Sequence, residues 1–133
     1  MSVDATSADH QSAQQKRALV IDDDAAAREA LSGMLGKLGW SVLTAPDGAQ
    51  GVEQFERERP DLVITELLMP EKEGLQTILE IRRASPKVGI VAISAGGRTK
   101  STTFLDLAKK MGANGALKKP ILADELEQAI KGL

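Results

Sequence analysis

At 133 residues, with 42% hydrophobic and 27% charged side chains, the chain has the size and composition of one globular domain; a second domain has no room, and fibrous or fully disordered classes are excluded. Seventeen basic against nineteen acidic residues give a formal charge of −2, too weak a field to draw the protein onto nucleic acid or an anionic membrane. The absence of cysteine removes disulfide frameworks and thiolate metal sites; with no signal-like segment and no apolar run of membrane-spanning length, the expected location is cytoplasmic.

Residues 1–16, MSVDATSADHQSAQQK, have almost no large apolar side chains to dock and are expected to form a disordered tail ahead of one domain over 17–133. His10 falls in that tail, where a solvated residue is a better reading than a phosphorylated or metal-binding one, since no partner ligands surround it. From residue 17 short apolar runs alternate with longer amphipathic segments. The runs ALVI (18–21), SVLTA (41–45), DLVIT (61–65), VGIVAIS (88–94) and GALKK (115–119) read as strands buried on both faces, because aliphatic residues follow one another without polar alternation. Leu31, Met34, Leu35 and Leu38 recur at helical spacing, as do Leu126, Ala129, Ile130 and Leu133, with Leu75, Ile78 and Leu79 as a shorter stripe. Asp24, Asp47 and Asp124 are candidate N-caps, Gly39 and Gly112 follow helical patterns, and Pro60 and Pro86 stop them. The sum is five βα units, an α/β protein with a parallel sheet, helices on both sides and right-handed crossovers.

In such a sheet ligands bind beyond the carboxyl ends of the strands. The residues there are Asp22, Asp23 and Asp24 after the first strand, Glu66 after the third, Ser94 after the fourth and Lys119 after the fifth. Gathered aspartates repel one another unless a cation neutralises them, and hard oxygen donors without histidine or cysteine suit Mg²⁺. Capping of the next helix is the plainer role, and Asp24 alone could fill it. Lys119 stands before Pro120, which restricts the turn, and Ala95-Gly96-Gly97 would let backbone N–H groups approach an anion. Together these residues suggest a phosphoryl group held between a metal, a lysine and a hydroxyl.

The succession IDDD (21–24), ELLMP (66–70) with Gly74 beyond it, AISA (92–95) and KKP (118–120) resembles the receiver domains of two-component response regulators, from about residue 17 to the end. The resemblance implies a doubly wound (βα)5, flavodoxin-like fold with strand order 2-1-3-4-5. It makes Asp22 and Asp23 the acid pair for Mg²⁺, with Glu66 and the backbone carbonyl of Leu68 completing the metal site. Glu66 stands at the phosphoacceptor position, with Ser94 as the hydroxyl and Lys119 as the cation that follow the phosphoryl group. The implied partners are a sensor histidine kinase or histidine phosphotransfer protein and an unidentified downstream protein, with no nucleic acid and no membrane; a weak homodimer is left open.

Two departures matter. The family's acceptor is an aspartate, and the extra methylene of Glu66 shifts the carboxylate by about a carbon–carbon bond, enough in a positioned site to cost about a hundredfold in rate. The longer side chain instead brings its charge toward Lys119 or Ser94. Ala116 stands in the fifth strand where many receivers carry an aromatic ring, so switching would fall to the loop from Ala95 to Thr103. With Leu133 as the last residue, a stand-alone receiver is expected to act through its fourth helix, fifth strand and fifth helix; Lys100, Lys109 and Lys110 lie near that face, where a merely solvated basic surface is an equal explanation. The residues leave two functions open, a phosphorelay module signalling by contact and a phosphorylation-independent pseudo-receiver, neither an enzyme beyond its own phosphorylation and dephosphorylation. A flavin carrier of the same strand order is disfavoured because three aspartates would repel the FMN phosphate, and a hydrolase with an aspartate nucleophile lacks any legible substrate pocket.

Overall fold

The computed structural model describes residues 15–67, 74–94 and 106–133. Along the chain they form β1 (Arg17–Ile21), α1 (Ala25–Lys37), β2 (Ser41–Ala45), α2 (Gly48–Glu58), β3 (Leu62–Glu66), α3 (Gly74–Ala84) and β4 (Gly89–Ser94). A helical stretch at 106–111, here α4, precedes β5 (Gly115–Lys118) and α5 (Ala123–Lys131). The five strands pair in parallel in the order β2-β1-β3-β4-β5, as expected.

Successive strand residues point to opposite faces, and each face has its own core. Leu19, Ile21 and Val63 pack with Phe55 of α2, Ile78 and Ile81 of α3 and Ala108 of α4. Ala18, Val20, Leu62 and Ile64 pack with Leu31 and Leu35 of α1 and Leu126 of α5. This two-sided burial is why the central runs show no polar alternation. It does not extend to the edges. Ser41 and Thr44 of β2 are exposed, and β5 is only partly buried, because an edge strand has a neighbour on one side alone and the helices overlap it incompletely. The stripes also end early, with Leu38 at 38% exposure and Leu133 at 49%.

The caps follow the sequence in two cases of three. Asp24 accepts from the Ala26 N–H and Asp47 from the Gln50 N–H, each satisfying a donor the helix cannot. Asp124 is not an N-cap. The extended residue before α5 is Leu122, whose N–H is reached at 3.4 Å by Glu125, while Asp124 sits in the first turn, where its charge complements the helix dipole. Gly39 and Gly112 adopt positive φ of 95° and 126°, the left-handed geometry that glycine supplies after a helix. Gly33, inside α1, and Gly36, in its last turn, are different: both are exposed, with nothing within 4 Å of where a Cβ would stand. Each costs the helix about 0.5–1 kcal/mol relative to alanine, with no crowding inside the chain to require it.

Lys16 falls in the stretch expected to be a tail, yet it contacts the domain. Lys16 already takes the Ser41 N–H on its carbonyl at 2.9 Å, and its ammonium lies 5.6 Å from the centre of the Trp40 ring. The rest of the expected tail, including His10, lies outside the described residues except for Gln15, which is exposed.

Candidate functional site

At the carboxyl ends of β1, β3 and β5 three charged side chains meet. The Lys119 ammonium lies 2.8 Å from Asp22 Oδ2 and 2.8 Å from Glu66 Oε1. Asp22 and Glu66 are buried, at 0% and 3% exposure, and the lysine side chain keeps 23% of its surface. The three charges sum to −1, so a large part of the burial penalty on the carboxylates is offset within the cluster. Burial alone would depress the lysine; the hydrogen bonds and charges of Asp22 and Glu66 outweigh it and hold the Lys119 pKa above the ordinary lysine value.

The backbone sets each group in place. Asp22 follows the last residue of β1, and its N–H donates to Ala45 of β2 at 3.1 Å. Its Oδ1 accepts from the Asp24 N–H at 2.9 Å, while Oδ2 faces the Lys119 ammonium. Arg28, one turn into α1, donates to the Asp22 carbonyl at 2.6 Å. Sequence reasoning passed over Arg28, and its only signal was a cation four residues beyond a cap. Glu66 ends β3 and its Oε2 accepts from the Leu67 N–H at 3.0 Å. Beneath it Gly74 donates to the Leu67 carbonyl at 2.9 Å. A Cβ at Gly74 would collide with the Glu66 carbonyl oxygen and the Leu67 Cα, so only glycine lets α3 start this close to the acidic residue. Ser94 ends β4, buried at 1%, and its carbonyl accepts from the Lys119 N–H at 2.8 Å, which ties the lysine backbone to the neighbouring strand. The Lys119–Pro120 peptide is cis.

Thus Asp22, Glu66 and Lys119 come into contact, and Ser94 stands at the adjoining strand end. Asp23 differs, being exposed beside the cluster. Leu68, the glycines at 96 and 97, the loop to Thr103 and Lys100 lie outside the described residues. Lys109 and Lys110 are exposed on α4. Ala116 pairs in register with Ala92 of β4 and packs at the margin of one core. Among the described residues no three His, Cys, Asp or Glu side chains form a ready ligand set for a metal. The donors are nonetheless all hard oxygens. Asp22 and Asp23 with water suit an ion such as Mg²⁺, which is commonly held by one or two carboxylates and keeps much of its hydration.

Comparison with known proteins decides the family. The model for the response regulator receiver domain matches residues 18–131. The chain belongs to this family. The receiver is 35% identical over 115 residues to the chemotaxis protein CheY of Bacillus subtilis, covering 86% of this chain and 93% of that protein. It is 36% identical over 112 residues to the transcriptional regulatory protein GlrR of Escherichia coli, covering 84% of this chain and 24% of GlrR. It spans about a quarter of GlrR and about half of the algal regulator ycf27 of Porphyridium aerugineum. The structure superposes on a receiver domain protein from Clostridium thermocellum with a TM-score of 0.80 at 30% identity, over 88% of this chain and 92% of that one. The chain is therefore a receiver domain of the kind found in two-component response regulators, and none of its described helices is long and apolar enough to cross a membrane.

Proposed function

We propose that this receiver signals by protein contact with little dependence on phosphorylation, Glu66 standing at the family's acceptor position and supplying a permanent negative charge to Lys119. The observation that carries this reading is the 2.8 Å contact between Glu66 Oε1 and the Lys119 ammonium. In a phosphorylated receiver the phosphoryl oxygens would take that partner. Here the carboxylate reaches it directly, because glutamate is one methylene longer than aspartate. The other oxygen takes the Leu67 N–H, so both oxygens that would attack phosphorus already have protein partners. The imitation is partial, since a carboxylate brings one charge and two acceptor oxygens where a phosphoryl group brings nearly two charges and three.

Asp22 and Asp23 are the residues that would hold Mg²⁺, with Glu66 and the Leu68 carbonyl as the remaining family ligands. When bound, the ion adds positive charge beside the acidic residues and neutralises an incoming phosphoryl group. The chain's own groups do the rest: Lys119 balances the buried carboxylates, Ser94 offers a hydroxyl at the neighbouring strand end, and Arg28 fixes the Asp22 backbone. The proposed partners are a histidine kinase or phosphotransfer protein upstream and a protein target downstream, in the cytoplasm.

The test is incubation with acetyl phosphate and Mg²⁺, read by intact mass, for the chain as it stands and for Glu66→Asp. The expected result is one added phosphoryl group on the aspartate variant and none on the parent. A parent that gains a base-labile phosphoryl group mapping to Glu66 would establish the phosphorelay function instead.

A further inference from the structure

We propose that a second copy of this chain docks on α1, in an antiparallel two-fold pairing centred on Gly33. This rests on a surface that adjoins the acidic cluster at Lys119, and it accounts for features of α1 that the cluster leaves unexplained. A groove of about 390 Å³ runs between α1 and the segment before α5, with Ala30, Leu31, Met34, Pro120 and Ile121 in its walls. A second depression of about 280 Å³ shares Ala30 and Met34 and continues to Gly33, Leu38 and Ala123. Leu38 lines the second at 38% exposure, so Ala27, Ala30, Met34 and Leu38 place apolar surface in hollows along α1.

The charge pattern of α1 selects the occupant. Glu29, Gly33 and Lys37 are spaced four residues apart and so share one helix face, and all three are exposed. Neither Glu29 nor Lys37 enters an ion pair among the described residues. A two-fold axis at Gly33 sets Glu29 of one copy against Lys37 of its partner, and by symmetry the reverse, so both charges are matched twice over. The same operation sets Ala30 against Gly36. Small residues therefore meet where the helix axes would cross, and the exposed Gly33 and Gly36, which nothing inside the chain requires, allow the backbones to approach. The face is self-complementary in charge and in shape. Its groove begins at Lys119, so the second copy would border the acidic site.

Sedimentation equilibrium on the full chain, up to millimolar concentration, tests the pairing together with Glu29→Lys and Lys37→Glu. These are surface changes, and circular dichroism verifies that each variant is folded. The parent is expected to move from monomer toward dimer with rising concentration. Each single variant, which puts like charges opposite each other, is expected to associate roughly tenfold more weakly. An equimolar mixture of the two variants restores the dimer, because every contact then joins lysine to glutamate. A parent that stays monomeric throughout overturns the proposal, as do charge variants that associate as well as the parent, or a mixture that pairs no better than its components.

Discussion

Replacing Lys119 with methionine keeps the length of the side chain and removes only the ammonium, leaving Asp22 and Glu66 facing each other in the protein. Breaking a buried charge cluster by deleting one member costs about 3–5 kcal/mol. The lower figure applies here because the lysine side chain retains 23% of its surface. At about 4 °C per kcal/mol for a domain of this size, a loss of about 3 kcal/mol lowers the melting temperature by about 12 °C. Calorimetry at neutral pH measures it. The pH dependence carries a sign. The folded-state pKa of Lys119 lies above its ordinary value of 10.5, so its contribution is complete below 10.5 and is lost as the pH rises through the folded-state value. The gap between parent and Lys119→Met is therefore constant from neutral pH to about 10 and narrows in stronger alkali. A variant that melts within 2–3 °C of the parent, a difference under about 1 kcal/mol, would refute the idea that the lysine balances these carboxylates.

Three further substitutions probe one support of the cluster and two features elsewhere in the fold. Gly74→Ala forces a methyl group into the Glu66 carbonyl and Leu67 and is expected to cost about 1–3 kcal/mol while shifting the amide resonances of residues 62–67. Arg82→Met removes donors to the Gly112, Ser85 and Pro86 carbonyls and to Asn114 Oδ1, at 2.8–3.2 Å. It should cost about 1.5–3 kcal/mol and speed hydrogen exchange in the turn before β5, whereas unchanged exchange there would mean that the guanidinium clamps nothing. Gly36→Ala, with open space around its Cβ, should stabilise the dilute chain by about 0.5–1 kcal/mol in urea denaturation.

The sheet was legible because its central strands are buried on both faces, and uninterrupted runs such as ALVI and LVIT follow directly from that. The edges were less so. SVLTA has the β-branched composition of a core strand, yet Ser41 and Thr44 are exposed, since hydrophobicity alone does not say which strand has a neighbour on only one side. The acidic cluster could be anticipated from residues at strand ends, but the contact of Lys119 with residues 97 and 53 positions before it depended on the strand order that places β1 between β2 and β3. The roles of Arg28 and Arg82 were hardly legible. Their acceptors are mostly backbone carbonyls, which every residue carries and no side-chain pattern marks. Asp124 was misassigned because aspartate favours both the N-cap and the first helical turn, and only the extended backbone of Leu122 separates the two positions.

The central physical statement is that one lysine amine is shared between two buried carboxylates from different strands. Side-chain ¹⁵N NMR of the Lys119 ammonium examines it directly, in the parent and in Glu66→Gln. The expected result is an ammonium signal protected from rapid solvent exchange in the parent, shifted and less protected once the glutamate charge is removed. A signal that exchanges like that of an exposed lysine in both proteins would contradict it.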